Sequence, residues 1–181
     1  ALTGASVTLG KMPQPYFRPG MSMMYDGDIN PEGVALRWAG SSFFANAWGF
    51  WLKENSAIAD SSAMGLQAGG KFSMGAVSTL TAAATYWKYN HVEGFVPAPL
   101  FGNNANGNTT TGATATSNLR LVSDFSILQL GVQFDTKIGS LPFMVFADYL
   151  QNDDAARNAT LGKKLDTAWS AGMMLGKASD P

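Results

Sequence analysis

Asp26, Asp28, Asn30 and Glu32 place oxygen-bearing side chains at alternate positions of the stretch DGDINPEG, residues 26–33. Hard cations such as calcium take carboxylate and amide oxygens. The pattern D-x-[DN]-x-[DN]-G opens an EF-hand-type loop that closes on a bidentate Glu at its twelfth position. Asp26, Asp28 and Asn30 satisfy the opening of that pattern. Pro31 stands where the Gly belongs, however, and Arg37 where the closing Glu belongs. These three residues are a candidate calcium set with two defining positions missing, and no other metal ligand set is expected.

Other chemistry is thinly represented. The chain has no Cys, which excludes disulfides, thiolate metal sites and cysteine nucleophiles. His91 is the only His, so a multi-His site is impossible. Ser56, Ser61 and Ser62 read as turn residues, and neither a Ser-His-Asp set nor a phosphate-binding loop is present. The expectation is a protein that is not an enzyme and needs no cofactor. A formal net charge of −1 gives no footprint for nucleic acid.

The elements that position these residues are strands. Charged residues make up only 14% of the chain against 46% apolar, a deficit that suits an exterior partly facing lipid. No apolar run reaches the ~18 residues of a membrane helix. Period-two alternation recurs instead. In LQLGVQFDT, Leu128, Leu130, Val132 and Phe134 oppose Gln129, Gly131, Gln133 and Asp135. Successive strand side chains point to opposite faces, so this segment has an apolar side and a polar side. VALRWA, LQAGGKF and TAWSAGMMLGK repeat the pattern. A helix competes in LTAAATYWKY and SSAMGLQAGG, but the Gly pair of one and the aromatic end of the other favour strands.

Eight strands are expected, at about 5–12, 33–40, 43–54, 63–73, 76–90, 121–137, 142–152 and 163–177. The inward and outward faces of 43–54 and 142–152 stay open. Tight connections (GSS, SMG, IGSL) alternate with long ones at 13–32, 55–62, 91–120 and 153–162. Outer-membrane barrels have short periplasmic turns and longer external loops, whereas a soluble sandwich gives no reason for such regularity. Strands in lipid must also close into a barrel to satisfy their backbone groups. The expected fold is therefore all-β: an antiparallel transmembrane β-barrel forming a single domain over 1–181. The stretch from Gly102 to Asn118, rich in Asn, Thr and Gly, reads as an exposed external loop.

The segments TLGKMPQPYF and YDGDINPEGVALRW carry a resemblance. Gly10, Lys11, Met12, Pro15 and Tyr16, followed by Tyr25 to Gly33, resemble the signature of a family of bacterial porins, outer-membrane β-barrels predicted to form diffusion channels. FFANAWGFWLKE and LPFMVFADYLQND resemble strands of that family. Its members are longer at both ends, and barrels of this class usually finish on a strand with a terminal aromatic, unlike Pro181. The expectation is an arc of a larger barrel.

The resemblance implies a water-filled channel in the bacterial outer membrane, passing small hydrophilic solutes or ions by passive diffusion. Its partners would be membrane lipid, the small solutes or ions themselves and, since porins often form trimers, further copies of the chain. Asp26, Asp28 and Glu32 would lie on a loop beside the lumen, where acidic groups favour cations. Arg37, Lys11 and Lys71, with Lys53 and Lys88, are basic candidates from the wall. Two alternatives stay open: a non-conducting structural or adhesive barrel, and a soluble β-sandwich binding module.

Overall fold

The computed structural model describes residues 4–20, 22–25, 27–56, 59–96, 108–111 and 119–176. Twelve strands follow in chain order: β1 (Ala5–Lys11), β2 (Glu32–Ala39), β3 (Phe43–Lys53), β4 (Ser61–Met74), β5 (Ser78–Asn90), β6 (Thr110–Thr111), β7 (Arg120–Leu121), β8 (Phe125–Ile138), β9 (Leu141–Asn152), β10 (Arg157–Asn158), β11 (Lys163–Lys164) and β12 (Thr167–Leu175). Eight of them form one antiparallel sheet in the order β1-β2-β3-β4-β5-β8-β9-β12. The pairs β6/β7 and β10/β11 are small ribbons within the long connections. No helix occurs among the described residues.

The sheet is an up-and-down meander, so each long strand pairs with its sequence neighbour along the sheet. Its two edges, β1 and β12, are not joined to each other, and the sheet is open. The eight long strands match the expected ones within a few residues. The two segments with helical character are β5 and β4. The sixth and eighth strands start about four residues later than expected, at Phe125 and Thr167. The residues just before them are held by the loops: Asn152 N–H donates to the Asp166 carbonyl, and Leu121 pairs in a ribbon.

The alternation of connection lengths also holds. The tight turns are 40–42, 75–77 and 139–140. Gly139 and Ser140 form a two-residue hairpin between paired Ile138 and Leu141. A positive φ of 63° at Gly139 is what such a turn needs at its first central position. Most of the Asn/Thr/Gly-rich stretch, and with it the expectation of an exposed loop there, lies outside the described residues.

The register resolves both faces. One cross-strand row runs Ser6, Arg37, Asn46, Gln67, Thr85, Gln129. The adjacent row on the opposite face runs Val7, Leu36, Ala47, Leu66, Tyr86, Leu128. On the two strands left open by the sequence, Asn46, Trp48 and Phe50 of β3 and Phe146, Asp148 and Leu150 of β9 belong to the first face. That face is covered, with Trp87 fully buried and Asp148 only 1% exposed. The other is open to its surroundings: Leu9 is 74% exposed, Leu66 64% and Trp169 76%. The covered face thus buries polar residues together with a set of large rings, while the opposite face exposes a continuous apolar surface, unlike a soluble sheet whose outer face is polar.

Candidate functional site

The described part of the segment between β1 and β2, residues 12–20, 22–25 and 27–31, covers the polar face. It is tied at its root, where Met12 N–H donates to the Pro31 carbonyl at 2.9 Å. From there it runs across the sheet as a strap. The Tyr16 ring lies 4.6 Å from that of Trp48 and 4.7 Å, edge-on, from that of Trp87. Phe17 meets Phe44 edge-on at 6.2 Å. On the return limb, Tyr25 packs against Trp87 and Tyr89. Rings in tilted and edge-on arrangements place the positive edge of one over the negative face of another.

Below this aromatic layer the strap is held by side-chain amides of the wall. Gln67 Oε1 accepts from Phe17 N–H at 2.8 Å, and Gln67 Nε2 donates to the Phe17 carbonyl at 2.9 Å. The Gln67 amide thus pairs with the Phe17 backbone as a neighbouring strand would. Asn46 Nδ2 donates to Gln67 Oε1, and Gln67 Nε2 also donates to Thr85 Oγ1, which fixes the amide's orientation. Lower still, Gly20 N–H donates to Gln133 Oε1 at 2.9 Å, and Gln133 Nε2 donates to both oxygens of Asp135. A parallel chain runs from Trp87 Nε1–H to Gln129 Oε1, then from Gln129 Nε2 to both Asp148 oxygens. The buried side chains of Asn46, Gln67, Thr85, Gln129 and Asp148 thus have defined partners, as a low-dielectric site demands, whereas the Trp48 indole N–H has none among the described residues.

The strap reaches deep. Trp87 pairs in register with Ile127, and Gln133, the lower anchor, lies farther along the same strand. The separation along β8 is about 20 Å at ~3.4 Å per residue. Small residues make room for it. A Cβ on Gly131 would lie 2.8 Å from Pro19 Cγ, and one on Gly20 would overlap the Phe146 ring. The wall is therefore shaped to the strap.

No protein-family model, curated protein or solved structure matches this chain. A role for the strap rests on its geometry.

The residues singled out from the sequence are placed as follows. Asp26 lies outside the described residues. Asp28 is exposed on the strap, and its backbone carbonyl accepts from Asn30 Nδ2 at 3.3 Å. No group of three His, Asp or Glu that could hold a metal occurs among the described residues. Lys11 and Glu32 are register partners at the root of the strap, and by alternation they share the face of Leu9 and Val34. Arg37 and Lys71 lie on the polar face, both exposed. Lys53 lies over the Phe95 ring at 4.7 Å. Lys88 pairs with Asp154 at 2.6 Å, and hydrogen bonds from Lys88 and Ser126 hold the Asp154 carboxyl below its usual range. Apart from Lys11 and Glu32, the structure does not gather these charges.

The anchors Gln67 and Gln133 were legible only as polar positions of a strand face. A stronger signal was in the strap itself. Met12, Tyr16, Phe17, Met23, Met24 and Tyr25 are too many apolar groups for a solvated loop.

Tyr25 sets a pH limit on this packing. Burial pushes its hydroxyl up to about 12 from the ordinary ~10. The folded value is raised, so the contribution is complete below pH ~10 and is lost as pH rises through 12. The strap is expected to become protease-sensitive across that window. Tyr25→Phe should shift the onset to higher pH; identical onsets in the two proteins would rule Tyr25 out as the trigger.

Proposed function

We propose that this chain is wall and constriction of a porin-type β-barrel in the bacterial outer membrane, a passage for small hydrophilic solutes or ions. The observation that carries the reading is the inversion of the two sheet faces. An eight-stranded face bearing exposed Leu9, Leu66, Leu130, Val132, Met173 and Trp169 would drive aggregation in water. Lipid acyl chains satisfy it. The dimensions agree. On β4, Met64, Leu66, Ala68, Gly70, Phe72 and Met74 alternate onto that face. From Met64 to Met74 is roughly 34 Å of strand at ~3.4 Å per residue; a tilt of ~45° turns this into about 24 Å of height. An outer-membrane barrel carries an apolar band about 25 Å tall. The Lys88–Asp154–Ser126 cluster, at the long-loop end of the same face, fits its polar border.

The open edges require partners, because unpaired backbone groups are costly in lipid. Eight strands closing on themselves enclose an interior that side chains alone fill. The strap needs more space than that, which favours additional strands and a larger barrel. In such a barrel Arg37, Lys71 and the strap carboxylate Asp28 are among the charges available to a passing solute. The two porin-like sequence motifs are consistent with this reading, because they frame the strap: Gly10 to Tyr16 leads into it, and Tyr25 to Gly33 leads out.

The dense packing of the strap favours a second reading, a plugged barrel with a structural or adhesive role. Conductance separates the two. Detergent-purified full-length protein in a planar bilayer is expected to give stable open-channel steps with cation preference, reduced in Asp28→Asn. Silence from folded protein would select the plugged barrel. Folding and solubility without detergent would remove the membrane reading altogether.

A further inference from the structure

The covered face is not filled to its upper end. Between the strap's return limb and the bases of the long loops lies a cavity of about 560 Å³. Small-molecule sites fall between ~300 and 1,000 Å³ and are largely apolar with a few placed polar groups. Met23 and Met24 of the strap close one side of this cavity, and Phe125, Ile127 and Leu150 of the wall form the other. Tyr89 and Phe125 contribute an edge-on ring pair with centroids 5.8 Å apart.

The polar groups differ in kind. Asn108 and Asn152 supply amides, and among the described residues Asp166 supplies the one charged side chain. Among the described residues, neither Lys, Arg nor His lines it. The backbone places Asp166: its carbonyl accepts from Asn152 N–H at 2.7 Å, continuing the β9–β12 ladder one step beyond Thr167. Thr167 belongs to the apolar face, so by alternation Asp166 belongs to the covered one. No hydrogen bond or ion pair among the described residues engages its carboxylate.

An apolar bowl with aromatic rings and one uncommitted carboxylate selects a particular chemistry. We infer that this cavity binds an organic ammonium ion with an apolar body, its cationic head held by Asp166 and its body against Phe125, Ile127 and Leu150. Aromatic faces attract such cations, and a carboxylate in a partly dry site repels anions. The inference deepens the proposed passage by naming a class of solute, but binding does not depend on conduction.

The test uses the full chain folded in lipid nanodiscs, with empty nanodiscs as the blank. Benzyltrimethylammonium is titrated by calorimetry beside benzyl alcohol and phenylacetate, which share the ring but carry no charge or a negative one. Saturable binding of the ammonium alone is expected. Asp166→Asn should weaken it about tenfold or more, the loss of one ion pair in a partly enclosed site. Ala156→Trp, which fills the cavity from its rim, should abolish it. Circular dichroism checks that each variant keeps the sheet. Equal binding of phenylacetate, no saturable binding by folded wild type, or unchanged affinity in Asp166→Asn would each overturn the inference. Conductance measured on the same preparation keeps the two readings apart. Ammonium binding without current defeats the passage and leaves the site, while current without binding does the opposite.

Discussion

Tyr16→Ala is expected to destabilise the folded chain by about 3–5 kcal/mol, the range for removing a buried aromatic from a site that cannot collapse. Tyr16 packs against two indoles that also touch each other, with centroids 4.6 Å apart, and both indoles are fixed on strands with neighbours on each side. The wall cannot close around the lost ring without breaking register. Each aromatic pair adds ~0.5–1.5 kcal/mol beyond burial, and one substitution removes two. The strap also loses its upper clamp, so its release should precede melting of the sheet. Tyr16→Phe separates the contributions. It keeps both ring contacts and loses only the hydroxyl's hydrogen bond to Gln14 Oε1, worth about 0.5–1.5 kcal/mol. Denaturant titration in detergent, read by tryptophan emission, measures both. Equal midpoints for Tyr16→Ala and wild type would mean that the strap is not part of the cooperative fold.

Much of the fold was legible because a half-covered strand records its facing in every second residue. Gln67, Gly69 and Lys71 alternate against Leu66, Ala68 and Gly70, and the register places the two sets on opposite faces. β3 and β9 resisted for a physical reason. Their covered face carries large rings as well as polar groups, Trp48 and Phe50 on one and Phe146 on the other. Apolar residues then occur on both faces and the period fades. What packs against Trp48 and Phe146 is the strap, so the strap hid the facing of the strands it covers.

The strap was visible in the sequence as a long loop, but its attachment to the wall was not. Acidic residues in a long loop suggested a lumen lined by charge. The residues that bind the loop to the wall are uncharged amides, Gln67 and Gln133, whose partners lie 50 and 113 residues away in sequence. Nothing local announces a contact of that range. Charge spacing drew attention to DGDINPEG, yet the denser information lay just before it, in the rings and methionines between Met12 and Tyr25. A loop with that composition has to cover something, and the polar face of the sheet, with Gly131 clearing room for Pro19, is what it covers.

On the proposed porin reading, excising the strap should enlarge the passage. Its two ends are already adjacent, because Met12 N–H bonds to the Pro31 carbonyl, so a short Gly-Ser turn can replace residues 13–30 without straining β1 or β2. The shortened protein keeps the meander and its apolar face. It loses the aromatic clamp and bares Trp48, Phe50 and Trp87 along with Gln67, Gln129, Gln133 and Asp148, whose polar groups can hydrogen-bond water, so it should be less stable than the wild type while keeping the sheet's backbone pairing. In a porin-type barrel the strap occupies the cross-section over about 20 Å of depth, and its removal should raise single-channel conductance several-fold and weaken ion preference. Gln67→Leu and Gln133→Leu, which cut the tethers but leave the strap, should instead produce a flickering channel alternating between the native and the enlarged level. A strapless protein that folds and conducts as the wild type does would show that the strap lies beside the passage and does not narrow it. One that conducts where the wild type is silent would identify the strap as a plug.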